Sequence, residues 1–160
     1  ESYEFFVNNF SFCFVRHPID RLVSAYLEFD QNFEKVKKSI KSKQRVVRFQ
    51  AYIERRLVSC SLDYKTIHSL SQNKFFLTKN GIHPVILRIE NWEQDINKIS
   101  THSAYLKNLI FRALKNGRRN AGSSNADSRW LWECLPNKHK DLIKKYYEED
   151  FLILDYSDYY

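Results

Sequence analysis

The chain has 160 residues, 43% of them hydrophobic and 28% charged, which gives enough apolar material for one domain core and excludes a disordered composition. No run of ~18 apolar residues is present, so no segment of this chain reads as a membrane helix. The net charge of +7 predicts a polyanionic partner (a nucleotide, a sulfated or uronic glycan, nucleic acid or an acidic membrane) without choosing among them.

In chain order, residues 10–15 (FSFCFV) read as a short buried strand that ends at Arg16. Pro18 suits the first turn of a helix, where a missing N–H costs nothing, and Asp20 suits the helix dipole. Leu22, Val23, Tyr26, Phe29 and Phe33 continue at helical spacing. Residues 35–43 (KVKKSIKSK) form a basic stretch. Val46, Phe49, Ile53 and Leu57 predict a second amphipathic helix, and residues 59–73 read as irregular. Gly81 and Pro84 bracket a turn before a second buried strand, Val85–Ile89. Asn91 is positioned to cap a helix carrying Asp95 and Ile99. A further helix is expected over 104–115, a loop over 116–128 (NGRRNAGSSNADS), and a last helix from about Pro136 that buries Leu142, Ile143 and Tyr146. The tail FLILDY is apolar enough to pack back on the core. Strands separated by helices predict an α/β fold with parallel pairing, in a single domain over residues 1–160.

Three cysteines, Cys13, Cys60 and Cys134, lie far apart with no metal-binding spacing. They are expected as buried thiols, with one disulfide open in an oxidising compartment. The chain contains no methionine and begins at Glu1, so a fragment or processed chain is expected.

Chemistry concentrates in Arg16-His17-Pro18-Ile19-Asp20-Arg21-Leu22-Val23-Ser24-Ala25-Tyr26. The C-terminal edge of a parallel sheet is where such folds bind ligands, and a helix starting there offers unpaired N–H groups to an anion. Arg16 adds a planar, permanently charged fork suited to phosphate oxygens. Ser24, about two turns into the helix, adds a hydroxyl donor. On physics alone, an arginine at a strand end in an ordinary surface salt bridge remains open.

RHPIDRLVSAY is similar to the 3′-phosphate-binding motif of sulfotransferases, and resembles most the Golgi-type carbohydrate sulfotransferases acting on chondroitin, dermatan and uronic acids, with their bacterial relatives. The resemblance implies a P-loop-like nucleotide-binding fold, a parallel sheet flanked by helices. It also implies that Arg16 and Ser24 hold the 3′-phosphate of 3′-phosphoadenosine 5′-phosphosulfate (PAPS), from which a sulfuryl group passes to a hydroxyl of a carbohydrate acceptor, with no metal. Ile89-Glu90-Asn91-Trp92-Glu93-Gln94-Asp95 resembles the family's strand-then-helix segment, or is simply structural. DYKTIHSLSQ (63–72) resembles a stretch near the acceptor cleft and makes His68 an acceptor-site candidate, although a lone loop histidine is more often polar surface. Arg118, Arg119 and Asn120, followed by Ser123 and Ser124, are similar to a late basic loop that closes over the 3′-phosphate; a solvated loop is equally open. YYEEDFLILDY resembles a closing packing segment.

The 5′-phosphosulfate loop of the family is not found. Thr78-Lys79-Asn80-Gly81-Ile82 carries a Lys and a Gly but leads into a strand, not a helix. That loop and the general base are therefore expected upstream of Glu1, so that the domain is incomplete at its N-terminus and the fragment alone inactive. Lys35, Lys37, Lys38, Lys41, Lys43, Arg45 and Arg48 either attract an acidic acceptor or form a solvated face. A nucleotide kinase would need a GxxxxGK[ST] loop and a magnesium carboxylate, and both are missing. The alternative from another class is a non-catalytic basic module binding a glycan or nucleic acid; its aromatic residues, however, fall at core spacing and not as a stacking platform, so no specific nucleic acid is expected. The resemblance implies a Golgi-membrane, lumenal setting for a eukaryotic protein and a cytoplasmic one for a bacterial protein.

Overall fold

The computed structural model describes residues 10–29, 43–58, 67–78, 81–82, 84–116 and 125–156. Within these, the chain forms two compact units, one drawn from Glu1–His17 and Gln72–Ala121, the other from Pro18–Ser71 and Gly122–Tyr160. Phe33, most of the basic stretch (Lys35, Lys37, Lys38, Lys41), Cys60, Asp63, Lys79 and the loop carrying Arg118, Arg119, Asn120, Ser123 and Ser124 lie outside the described residues.

The elements follow in chain order. Strand β1 is Phe12–Val15, helix α1 is Pro18–Phe29 and helix α2 is Lys43–Ile53, which runs into a π-helical turn, Glu54–Val58. A 3₁₀ turn, Gln72–Phe75, precedes strands β2 (Leu77–Thr78), β3 (Gly81–Ile82) and β4 (Val85–Arg88). After a 3₁₀ turn at Ile89–Asn91 come the short helices α3 (Trp92–Asp95) and α4 (Asn97–Ser100), then α5 (Ala104–Asn116), α6 (Asn125–Cys134), α7 (Asn137–Tyr146) and α8 (Glu148–Ile153).

The sheet unit is built on β1 and β4, paired in parallel from Phe12↔Val85 to Val15↔Arg88. The expected α/β character with parallel pairing is thus present. β2 and β3 form a separate antiparallel pair that the turn signal at Gly81 and Pro84 did not reveal. Leu87, Ile96, Ile99 and Ile110 make the core, with Phe12, Val85, Leu106 and Leu114 packed against it. The strand expected to be buried throughout is not: Val15 is buried, whereas Phe14 remains 36% exposed.

β4 also ends a residue earlier than expected. Arg88 donates its N–H to the Asp95 carboxylate at 2.8 Å, and Ile89 then turns outward into the 3₁₀ segment and is exposed. Asn91 makes no side-chain capping bond. The expected single helix is interrupted at Ile96, whose N–H reaches the Trp92 carbonyl at 2.9 Å. α5 has the cap that the sequence reading missed, with Ser103 Oγ accepting the Leu106 N–H at 3.1 Å.

The helical unit follows the periodicity of α1. Ile19, Leu22, Val23 and Tyr26 are buried at i, i+3, i+4 and i+7. They join Phe49, Tyr52 and Ile53 of α2, Leu131 and Trp132 of α6, and Ile143 and Tyr147. Arg45 is buried, which removes it from the candidate acceptor-attracting face, whereas Lys43 is exposed. Residues 125–128, the end of the expected loop, begin a helix that runs to Cys134: Ser128, Leu131, Trp132 and Leu135 share one buried face. At the other end of the unit, α8 is closed by Asp155 at φ 53°, with the Tyr156 N–H returning to the Phe151 carbonyl at 3.1 Å, a Schellman-type stop. The apolar tail packs in part: Leu154 is buried and Leu152 is exposed.

Of the cysteines expected to be buried, Cys13 is half-buried and Cys134 exposed; both are free thiols. Burial pushes the Cys13 thiol up to about 11, which makes it a poor nucleophile at neutral pH.

Candidate functional site

β1 runs out at Val15, and α1 begins three residues later at Pro18. Arg16 and His17 form the connecting turn. A turn at a strand end leaves main-chain groups beyond the ladder that need partners. Here the Gln72 side-chain amide takes two of them. Its Oε1 accepts the Arg16 N–H at 3.0 Å, and its Nε2 donates to the Arg16 carbonyl at 2.7 Å. Glu90, in the 3₁₀ turn after β4, accepts the His17 N–H on Oε1 at 2.7 Å. Gln72 is buried, whereas Glu90 as a whole is exposed. The sequence reading selected neither for this purpose, because a side chain that satisfies a distant main-chain group leaves no local pattern.

Arg16 is half-buried in the sheet unit and Ser24 half-buried on α1 in the helical unit. The other polar residues of the motif face inward. Arg21 donates through Nη1 to the Leu70 carbonyl and through Nη2 to the Ile67 carbonyl at 3.2 Å. Tyr26 is buried and donates its hydroxyl to the Arg45 carbonyl at 3.4 Å; its ring lies 5.0 Å from that of Phe49. Burial lowers the Arg21 guanidinium from its ordinary value, and the neighbouring Tyr147 and Asp150 work in the opposite direction.

The segment 67–71, expected to be irregular, is pinned within the helical unit. Besides Arg21, the Tyr147 hydroxyl donates to the Ser69 carbonyl, and Ser71 Oγ donates to the Asp150 carboxylate at 2.8 Å. Burial drives the Tyr147 phenol well above its ordinary value, so it is a neutral donor at any physiological pH. His68 sits on this segment and is exposed.

Asp95, expected on a helix or in a structural role, is buried and does both. Besides the Arg88 N–H, its carboxylate meets Lys98 Nζ at 2.9 Å and Arg88 Nε at 3.4 Å. Burial pushes its carboxyl up, but the Arg88 N–H bond and the Lys98 and Arg88 charges outweigh this and hold it below the usual value. A folded-state value below the unfolded one contributes stability at pH above about 4, and that contribution is lost as pH falls through the folded value. We therefore expect Asp95→Asn to lower the urea midpoint at neutral pH and to flatten its decline in acid. A midpoint that falls as steeply in Asp95→Asn as in the parent would refute this role.

Arg16 follows the C-terminal end of a parallel-paired strand and precedes a helix start, a position at which α/β folds commonly place ligands. A model of the sulfotransferase family matches residues 2–157. The chain belongs to the sulfotransferase family. No curated protein and no solved structure matches it. Membership gives this sulfotransferase-family chain sulfuryl transfer as its class of reaction, and a nucleotide donor and an acceptor as its partners. Among the described residues, no helix is long and apolar enough to cross a membrane, and no group of three or more potential metal ligands occurs.

Proposed function

We propose that the chain carries the 3′-phosphate end of a PAPS site on a P-loop-like fold, and that the protein transfers a sulfuryl group to a hydroxyl of a carbohydrate acceptor. The observation that carries this reading is the placement of Arg16 between a parallel-paired strand and a helix start, within a motif similar to the family's 3′-phosphate grip. Arg16 supplies the permanent charge and paired donors, and Ser24 a hydroxyl. Arg118, Arg119 and Asn120 are proposed to close over the same phosphate, and His68 to contact the acceptor. In the reaction the acceptor oxygen attacks sulfur as the bond to the leaving phosphate breaks. The acceptor proton passes to a base, and adenosine 3′,5′-bisphosphate departs. Arg16 takes part by fixing the nucleotide handle, which sets the line of attack.

Titration calorimetry on the full-length protein tests the reading, with adenosine 3′,5′-bisphosphate compared against RNA and a heparin-like polymer. Arg16→Ala is expected to weaken the nucleotide ten- to a hundred-fold, corresponding to about 1.4–2.8 kcal/mol for a charge-assisted phosphate contact. Ser24→Ala should cost less, since it removes one neutral hydroxyl. Binding to polymers alone, unchanged by Arg16→Ala, would instead favour a basic polyanion-binding module.

A further inference from the structure

The clamp on the Arg16 turn has a feature that ordinary packing would not require. Three consecutive main-chain polar groups, the N–H and carbonyl of Arg16 and the N–H of His17, are each taken by a side chain from a remote part of the sheet unit. The β1–β4 ladder ends at the pair Val15↔Arg88, so Arg16 is the first residue that no strand can register. The Gln72 amide stands in for that missing strand, offering one acceptor and one donor with the spacing of a peptide group. These two bonds go to main-chain atoms of Arg16, so they fix the backbone from which the guanidinium projects without using the guanidinium.

We propose that Gln72 and Glu90 are positioning residues for donor binding: they hold the Arg16–His17 turn in the one conformation that presents the Arg16 guanidinium to the nucleotide's 3′-phosphate. The inference rests on Arg16 gripping that phosphate, as proposed above. An arginine on a loose turn would reach the same phosphate only after ordering its backbone, and that ordering entropy subtracts directly from affinity. Gln72 is suited to the task because its amide carries both a donor and an acceptor on a planar group. A glutamate there keeps the shape but sets an acceptor against the Arg16 carbonyl; a methionine keeps the volume and loses both bonds. Glu90 needs only an acceptor, and a glutamine retains it.

The test compares two nucleotides on the full-length protein, adenosine 3′,5′-bisphosphate and adenosine 5′-monophosphate, which lacks the 3′-phosphate. Gln72→Met and Gln72→Glu are expected to weaken the bisphosphate at least five-fold and leave the monophosphate within two-fold. Glu90→Ala should behave in the same direction, and Glu90→Gln should recover the parent affinity. In an Arg16→Ala background, Gln72→Met should have no further effect on the bisphosphate. A purely structural role would weaken both nucleotides together, and that outcome overturns the proposal. So does unchanged discrimination in the Gln72 variants while Arg16→Ala abolishes it, a result that leaves the 3′-phosphate reading standing. If Arg16→Ala itself spares the discrimination, that reading fails and the positioning role fails with it. Where Gln72→Met does not fold, the Glu90→Ala and Glu90→Gln pair decides in the same way.

Discussion

Arg21→Ala is expected to destabilise the protein by about 2–3 kcal/mol, less than two full charge-assisted bonds because the carbonyls it holds are partly exposed. Arg21 is the second arginine of the sulfotransferase-like motif. In the structure it spans the Leu70 and Ile67 carbonyls, so its removal frees a segment that Tyr147 and Asp150 also hold. Arg21→Lys keeps the charge, but a single ammonium cannot bridge two carbonyls as a fork does; it should recover about half of the loss. Urea denaturation gives the stability change, and amide exchange over residues 67–72 should rise in step. A change within about 0.5 kcal/mol, the range of an unremarkable surface substitution, would mean that Arg21 has no such structural task.

Phe49→Ala should cost more, about 3–5 kcal/mol, as for other large-to-small changes at fully buried aromatic positions. Phe49 has no exposed surface and lies in the core shared by α1, α2, α6 and α7, with the Tyr26 ring 5.0 Å away. The residues around it are themselves buried in the same core, so the vacated space would not collapse readily. Phe49→Leu keeps most of the volume and should cost under about 2 kcal/mol. If Phe49→Ala and Phe49→Leu destabilise equally, cavity formation is not the cause. The two substitutions also differ in kind: Arg21→Ala should loosen one segment, whereas Phe49→Ala should weaken the helical core as a whole.

What the sequence showed and what it hid divide along a physical line. α1 was legible because its apolar residues recur at 3.6-residue spacing and Pro18 marks its start. The parallel pairing of β1 with β4 followed from two apolar runs separated by helical patterns. α6 was hidden by composition: its start lies in an Asn-, Gly- and Ser-rich run, and its buried face includes Ser128, a polar residue that breaks the apolar pattern. Glu90 and Asp95 were visible as residues of a family-like segment, but not the groups they serve. Gln72 closed a stretch singled out only for its histidine. Its bond to Arg16 spans 56 residues and that of Glu90 to His17 spans 73, and no local periodicity encodes a partner so far away.

Those separations also set the order in which the structure can form. The ladder partner of β1 begins only at Val85, so at ribosomal rates of about 5–20 residues per second the strand waits roughly 4–15 s for that mate. Until then, FSFCFV is an apolar, uncharged strand whose β4-facing edge is open, the kind of segment on which chains associate wrongly. Closing a loop of that length carries a large entropy cost before any pairing repays it. Arg16 should therefore gain its fixed geometry late, once β4 has paired and Gln72 and Glu90 are both in place.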